Sequence, residues 1–289
     1  MNYLLHLLIY FEIFVLVAVS LNVLVGYAGL LTVAHGAYFG VGAYASAILS
    51  LNFGYGFVSA TVLASAVAGA ASLLVSLPSW RLKGDAFVMM SLAVQVSLYA
   101  LFYNWVSLTG GPFGVADVPK PAILGVSINT QSSIAALYGV IATMGVALLG
   151  LVKLSPFGRC LQAMRDDELA ARSLGIPTRK VKVQACFIAS ALVGLAGALY
   201  AGYASYVDPA SFTLDESILL LSMIIVGGTG NIKGPIIGAL TLILIPEIFR
   251  VVELPSATAA NLRYLLYGLS LVLLMHWRPQ GIAGRYRFE

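Results

Sequence analysis

Nine runs of apolar residues dominate this chain, at about 3–25, 30–51, 57–77, 86–106, 133–152, 183–204, 213–227, 235–252 and 262–277. A helix needs about 20 such residues to cross the hydrocarbon core of a bilayer, so nine spans take roughly 180 positions and leave roughly 110 for everything else. No piece of that remainder is long enough to fold as a soluble catalytic domain. Only 28 of the 289 residues carry a formal charge, 16 basic and 12 acidic. That is far below the share of about a quarter in a soluble domain. The chain could not cover its own surface with solvated side chains, which excludes a soluble fold. Disorder needs low hydrophobicity and high net charge, and is excluded as well. The expected fold is all-α: one polytopic membrane domain over residues 1–289 with about nine (8–10) transmembrane helices.

Charge sets the topology. If the runs alternate in direction, 13 basic residues collect on one side: Arg81, Lys83, Lys233, Arg278, Arg285, Arg287 and the seven between 153 and 182. Lys120, Arg250 and Arg263 fall on the other. The positive-inside rule makes the richer side cytoplasmic and puts the C-terminus there. The first run has no basic residue before it and no small-residue cleavage site, so it reads as a retained span. Glycines break the 26–42 region, which fits a half-helix pair as well as one straight span. The formal charge of +4 is then a topology signal and needs no nucleic-acid partner. Cys160 and Cys186 fall in different environments and make no disulfide framework.

Residues 153–182 hold 10 of the 28 charges. Charge this concentrated marks where the chain meets water or a soluble partner. Ser155-Pro156 has the form of an N-cap followed by proline at the first helical position. Gly175-Ile176-Pro177 has the form of a helix stop. The spacing between them predicts one helix over about 156–174, with an apolar stripe of Phe157, Leu161, Met164, Ala171 and Leu174 opposite a charged face. Such a helix can lie at a membrane surface or seat in a partner's groove. Glu168, Ala170, Ala171 and Gly175 also make an E-x-A-A-x-x-x-G arrangement, in which small residues permit close approach.

That arrangement resembles the coupling helix by which ABC importer permeases seat in their ATPase subunits, and the likeness runs well beyond it. FGRCLQAMRDDELAARSLGIPTRKVKVQACFIASALVGLAGALYAGYASYVDPASFT and SILLLSMIIVGGTGNIKGPIIGAL resemble permease subunits of branched-chain amino-acid ABC importers, most of all their M-type subunit. LNVLVGYAGLLTVAHGAYFGVGAYASAIL, LTGGPFGVADVP and RPQGIAG are similar to other segments of the same family, so the resemblance covers about residues 20–285. Thr32-Val33 and Asn231-Ile232-Lys233 depart from the usual pattern, and the family also includes permeases for urea, short amides and some organic acids. The resemblance implies a second permease chain (the same or different), two cytoplasmic ATPases and an external substrate-binding protein, in a bacterial or archaeal cytoplasmic membrane. It assigns Arg165, Asp166, Asp167, Glu168, Ala170, Ala171, Leu174 and Gly175 to ATPase coupling. No Walker A sequence is present; Gly230-Asn231-Ile232-Lys233-Gly234 lacks both the glycine before lysine and the hydroxyl after it. ATP and magnesium would therefore belong to the partner ATPases, and this chain is expected to bind no cofactor and catalyse no reaction.

Two glycine clusters interrupt the apolar runs: Gly26, Gly29, Gly36, Gly40 and Gly42, then Gly227, Gly228, Gly230, Gly234 and Gly238. Close helix packing explains most of them. Unwound helix ends near the bilayer midplane are the alternative, with Gly26, Gly29, Gly227 and Gly228 as candidates for the translocation path. His35 is read as a helix-to-helix hydrogen-bonding residue or a path residue. No second histidine or cysteine stands at metal-ligand spacing, so no metal is expected. Glu247 has Arg250 three residues on as an ion-pair partner. Glu12 has no such neighbour and contacts a companion permease or snorkels. Gln95 is the isolated polar candidate for the path. Asp208, Asp215 and Glu216 at a span mouth are either contacts for the binding protein or simply solvated. An ion-coupled secondary transporter would want midplane carboxylates, and only Glu12 is available. A membrane enzyme finds no residue set to carry it.

Overall fold

A computed structural model of the chain describes residues 2–80, 82, 84–123, 126–251, 268–269 and 281–284. The ninth apolar run lies almost wholly outside the described residues. So do Arg81, Lys83, Arg263, Arg278, Arg285, Arg287 and the side chains of Glu247 and Arg250.

The regular structure among the described residues is helical apart from two short ribbons. In order, the helices are α1 (Asn2–Asn22), α2 (His35–Asn52), α3 (Phe57–Ala71), α4 (Leu73–Ser76), α5 (Asp85–Asn104), α6 (Val106–Thr109), α7 (Gln131–Leu154), α8 (Pro156–Asp166), α9 (Glu168–Ser173), α10 (Thr178–Ala204), α11 (Leu214–Gly227) and α12 (Lys233–Val251). A π-helical turn, Val23–Tyr27, carries α1 onward. Five stretches among the described residues are long and apolar enough to cross a membrane: Tyr3–Tyr27, Phe57–Ser76, Asp85–Asn104, Gln131–Leu154 and Thr178–Ala204. Runs 30–51 and 213–227 differ from the simple spans expected of them. The first opens with non-helical chain before α2 begins at His35. The second yields a 14-residue α11 entered through a 3-10 turn, Pro209–Phe212. At 1.5 Å per residue α11 is about 21 Å long, short of a full crossing.

Small residues bring the central helices together. A Cβ on Gly42 of α2 would collide with Gly194 of α10, one on Gly194 with Ala68 of α3, and one on Gly197 with the Phe39 carbonyl. This is the small-residue packing expected of membrane helices, where apolar bulk alone gives no drive to associate. At one end of the bundle His6 meets Tyr203 (2.6 Å), and Phe39, Tyr44, Phe102 and Tyr200 surround Phe212. The loops that carry two short ribbons lie at that end. β1 (Val115–Ala116) pairs antiparallel with β4 (Tyr206–Val207), in register Val115↔Val207. β2 (Ala122–Ile123) pairs antiparallel with β3 (Val126–Ser127), in register Ala122↔Ser127. At the opposite end Tyr27 and Gly29 meet the 153–182 segment, through Lys153 and Arg165. Lys153, Arg165, Arg172, Lys182 and Lys233 lie toward that end, with Lys120 on the ribbon side and Arg250 near the far end of α12.

Candidate functional site

The basic end joins four pieces of chain that are remote in sequence. Asn22, fully buried at the end of α1, donates from Nδ2 to the Asn231 carbonyl (3.0 Å) and accepts at Oδ1 from Gly230 N–H (3.2 Å). The loop it grips needs glycine, since φ is +98° at Gly228 and +78° at Gly230. A Cβ on Gly26 would stand 2.7 Å from the Gly230 nitrogen. The C-terminal segment completes the junction: Ile282 N–H donates to Val226 O (3.0 Å) and Ala283 N–H to Gly227 O (2.9 Å). These bonds satisfy carbonyls that the last turn of α11 leaves open. The two glycine clusters therefore meet. The contact is made by Gly26 of the first and Gly230 of the second, next to Tyr27, whose ring lies under Lys153 (5.5 Å).

The charged segment docks on that junction as two helices. Ser155 caps α8, accepting from Gly158 N–H (3.2 Å), with Pro156 at the first position as expected. The single helix expected over 156–174 breaks at Asp167. Its backbone is extended (φ −156°, ψ 109°) and its carboxylate accepts from Leu169 and Ala170 N–H (2.8 and 3.0 Å), capping α9. Gly175, at φ +84°, ends α9, and Ile176 N–H reaches back to Ala171 O (3.1 Å).

Each predicted coupling residue now has a direction. Leu161, Met164 and Ala171 point inward. Leu174, expected on the same stripe, is 81% exposed, and Leu169, Ala170 and Gly175 are exposed beside it. Ala171 keeps the expected direction after the break at Asp167, whereas Leu174 lies past the last residue of α9, beside the left-handed Gly175, and points outward. Glu168 faces in: its carboxylate pairs with Lys182 at 2.9 Å and Arg172 at 3.2 Å, and Lys182 is only 3% exposed. Arg165 donates to the Gly26 carbonyl, and its Cγ occupies the space where Gly29 lacks a Cβ. Asp166 stays exposed. A polar cavity of about 400 Å³ lies between this segment, the 29–31 loop and the start of α5.

Gln95 and His35 sit higher in the bundle. Gln95 Oε1 accepts from Ala37 N–H (2.7 Å) and the Ser217 hydroxyl (3.1 Å), and its Nε2 donates to Phe212 O (3.0 Å). Ser217 also accepts from Gly36 N–H (2.9 Å), and Ser91 from Val33 N–H (3.1 Å). Side chains of α5 and α11 thus satisfy the N–H groups that the start of α2 would otherwise bury unpaired, a severe cost where no water reaches. Gln95→Leu should strip partners from three buried groups and cost about 3 kcal/mol or more. A thermal unfolding midpoint in detergent measures the loss, and an unmoved midpoint would remove this role. His35 is fully buried, its ring 6.1 Å from that of Tyr38, with neither nitrogen hydrogen-bonded among the described residues. No group of three or more potential metal ligands forms among the described residues. Asp208 accepts from the Ser211 hydroxyl, and Asp215 and Glu216 occupy the first turn of α11, where the helix dipole favours negative charge.

The sequence family described as "Branched-chain amino acid transport system / permease component" matches residues 3–275. The chain belongs to that family. Within it, the chain is 34% identical over 294 residues to the high-affinity branched-chain amino acid transport system permease protein LivM of Escherichia coli (strain K12), covering 93% of this chain and 67% of the relative. A probable LivM permease of Methanocaldococcus jannaschii is 26% identical, with 96% and 92% covered. The E. coli LivH permease is likewise 26% identical at the same coverage. No solved structure matches. For a permease of this family, the junction of Asn22, the Gly228–Gly230 loop and the α8–α9 segment is the candidate functional site.

Proposed function

We propose that the chain is a membrane-spanning subunit of an ATP-driven importer for branched-chain amino acids, with about nine spans and its C-terminus in the cytoplasm of a bacterial or archaeal cell. The likeness to LivM over 93% of the chain carries the reading. Its partners are a second permease, two cytoplasmic ATPases that hold ATP and magnesium, and an external substrate-binding protein. The cluster of described basic residues at one end supports a cytoplasmic assignment for that end. Leu169, Ala170, Leu174 and Gly175 form an exposed apolar and small-residue patch on α9 suited to an ATPase groove. Arg165 and Glu168 then work behind that patch, tying it to Gly26–Gly29 and to α10. A push on α9 reaches both glycine clusters through these contacts, which is how ATPase closure would move Gly26, Gly29, Gly227 and Gly228. Gln95 and His35 remain candidates for the path above them, and Asp208, Asp215 and Glu216 for receiving the binding protein.

The test is purification of the intact complex followed by ATPase and uptake assays with candidate solutes. ATP hydrolysis stimulated by a binding protein loaded with leucine, isoleucine or valine is the expected result. Active transport by this chain with no ATPase present would refute the reading. Leu174→Asp should leave the thermal midpoint within about 0.5 kcal/mol of the parent, as surface changes do. It should reduce ATPase co-purification about tenfold or more, as loss of an apolar anchor does.

A further inference from the structure

Glu12 lies near the middle of the 25-residue stretch Tyr3–Tyr27, in a groove between α1, α7 and α12. The groove encloses about 430 Å³ and is walled by Phe11, Val15, Ala142, Val146 and Ile236. Gly139 on α7 makes room for the acid: a Cβ there would stand 2.9 Å from Glu12 Oε1. The nearby Thr143 hydroxyl turns back to its own helix, donating toward the Gly139 and Val140 carbonyls at 2.9 Å each. Glu12 Oε2 is buried and has no hydrogen-bond partner among the described residues. No described Lys or Arg lines the groove.

An acid at this depth needs a cation or proton from outside the described chain. Lipid tails bring neither. A second copy of the same face would bring another carboxylate, and like charges repel. An aliphatic amino acid brings an ammonium group and a branched apolar side chain together, and the groove offers one carboxylate set in apolar walls. Its volume lies within the range of small-molecule sites. We propose that this groove is a transit site for aliphatic amino acids, in which Glu12 receives the α-ammonium group and the walls take the side chain. The α-carboxylate of the solute faces the open side of the groove. A single charged contact holds the solute and still releases it, as a conduction pathway requires. This inference rests on the importer reading above.

The test uses the complete complex with its ATPases and binding protein. Glu12→Gln should lower leucine uptake about tenfold or more, the loss expected for one charge-assisted contact, while the complex still co-purifies. Glu12→Asp should recover part of that uptake. In a Cys160→Ser, Cys186→Ala background, Glu12→Cys should react with a membrane-impermeant cationic methanethiosulfonate, and leucine should slow the reaction. Uptake by Glu12→Gln equal to the parent's, a thiol at position 12 inert to the reagent, or labelling indifferent to leucine would each overturn the site. If the parent complex itself imports no amino acid, the importer reading fails first and takes this inference with it. If the parent imports and the Glu12 variants behave as it does, the site alone fails.

Discussion

Gly227→Leu is expected to abolish folded, extractable protein. A Cβ at Gly227 would run into the Gly234 carbonyl and stand 2.9 Å from the Gly238 nitrogen. Both obstacles are backbone, so no rotamer change relieves them. Gly238→Leu meets the Met223 carbonyl in the same way. Overpacking a close interface costs about 1–3 kcal/mol even where side chains can shift, and here they cannot, so the loss should exceed about 3 kcal/mol. Fluorescence-detected size exclusion on solubilised membranes would show the peak disappear. Gly54→Leu is the control: its φ is +65°, but nothing lies within 4 Å of an added Cβ, so only backbone strain of about 1–3 kcal/mol is incurred. A normal Gly227→Leu peak would mean that α11 and α12 are not packed this closely. Gly228→Leu, the natural test of gating from sequence, mixes two effects. At φ +98° and with Gly281 against it, loss of uptake there reports folding as well as movement.

Lys182→Met is expected to destabilise the protein by about 1–3 kcal/mol, because it takes the nearly buried ammonium away from the Glu168 carboxylate. Glu168 keeps Arg172, which sits on the exposed side of α9 and cannot replace an ammonium only 3% exposed. Removing both charges, as Glu168→Gln with Lys182→Met, should recover more than half of the loss, since an uncharged pair leaves nothing stranded. Thermal midpoints of the parent, both single variants and the double variant make a complete cycle. Additive losses would show that the pair does not interact. Glu168→Arg would set a third cation beside Lys182 and Arg172. Its uncoupling of ATP hydrolysis from uptake would therefore stem from a displaced α9, not from a lost contact with the ATPase.

Apolar length was the most readable property of the chain. The runs at 3–25, 57–77, 86–106, 133–152 and 183–204 became helices within a few residues of those limits, because crossing a membrane demands length and hydropathy and little else. Ser155 and Gly175 were legible too, since caps depend on local chemistry. What hydropathy could not show was where the backbone stops being helical inside an apolar run, as it does before His35. Asp167 counted as one more charge on a face, yet its carboxylate caps a second helix, and Leu174 falls beyond the end of that helix and points outward. Lys182 read as part of a solvated loop because its buried position depends on where α9 folds back. Gln95 stood out correctly as a polar group in an apolar run. That signal identifies a residue with a partner and does not say whether the partner is a solute or the backbone of another helix. Asn22, at the end of its run, carries the same polar signal but was not among the residues singled out from the sequence.

The hydrogen bonds at the start of α2 bear on how the protein is made. Ala37 N–H waits for Gln95, 58 residues downstream, and Gly36 N–H for Ser217, 181 residues downstream. At a synthesis rate of about 5–20 residues per second, Ser217 leaves the ribosome roughly 9–36 s after Gly36. During that interval Gly36 N–H lacks the side-chain acceptor it has in the folded protein. The final packing of the first turn of α2 is therefore completed only once α11 is made, although the segment itself is among the first to be translated.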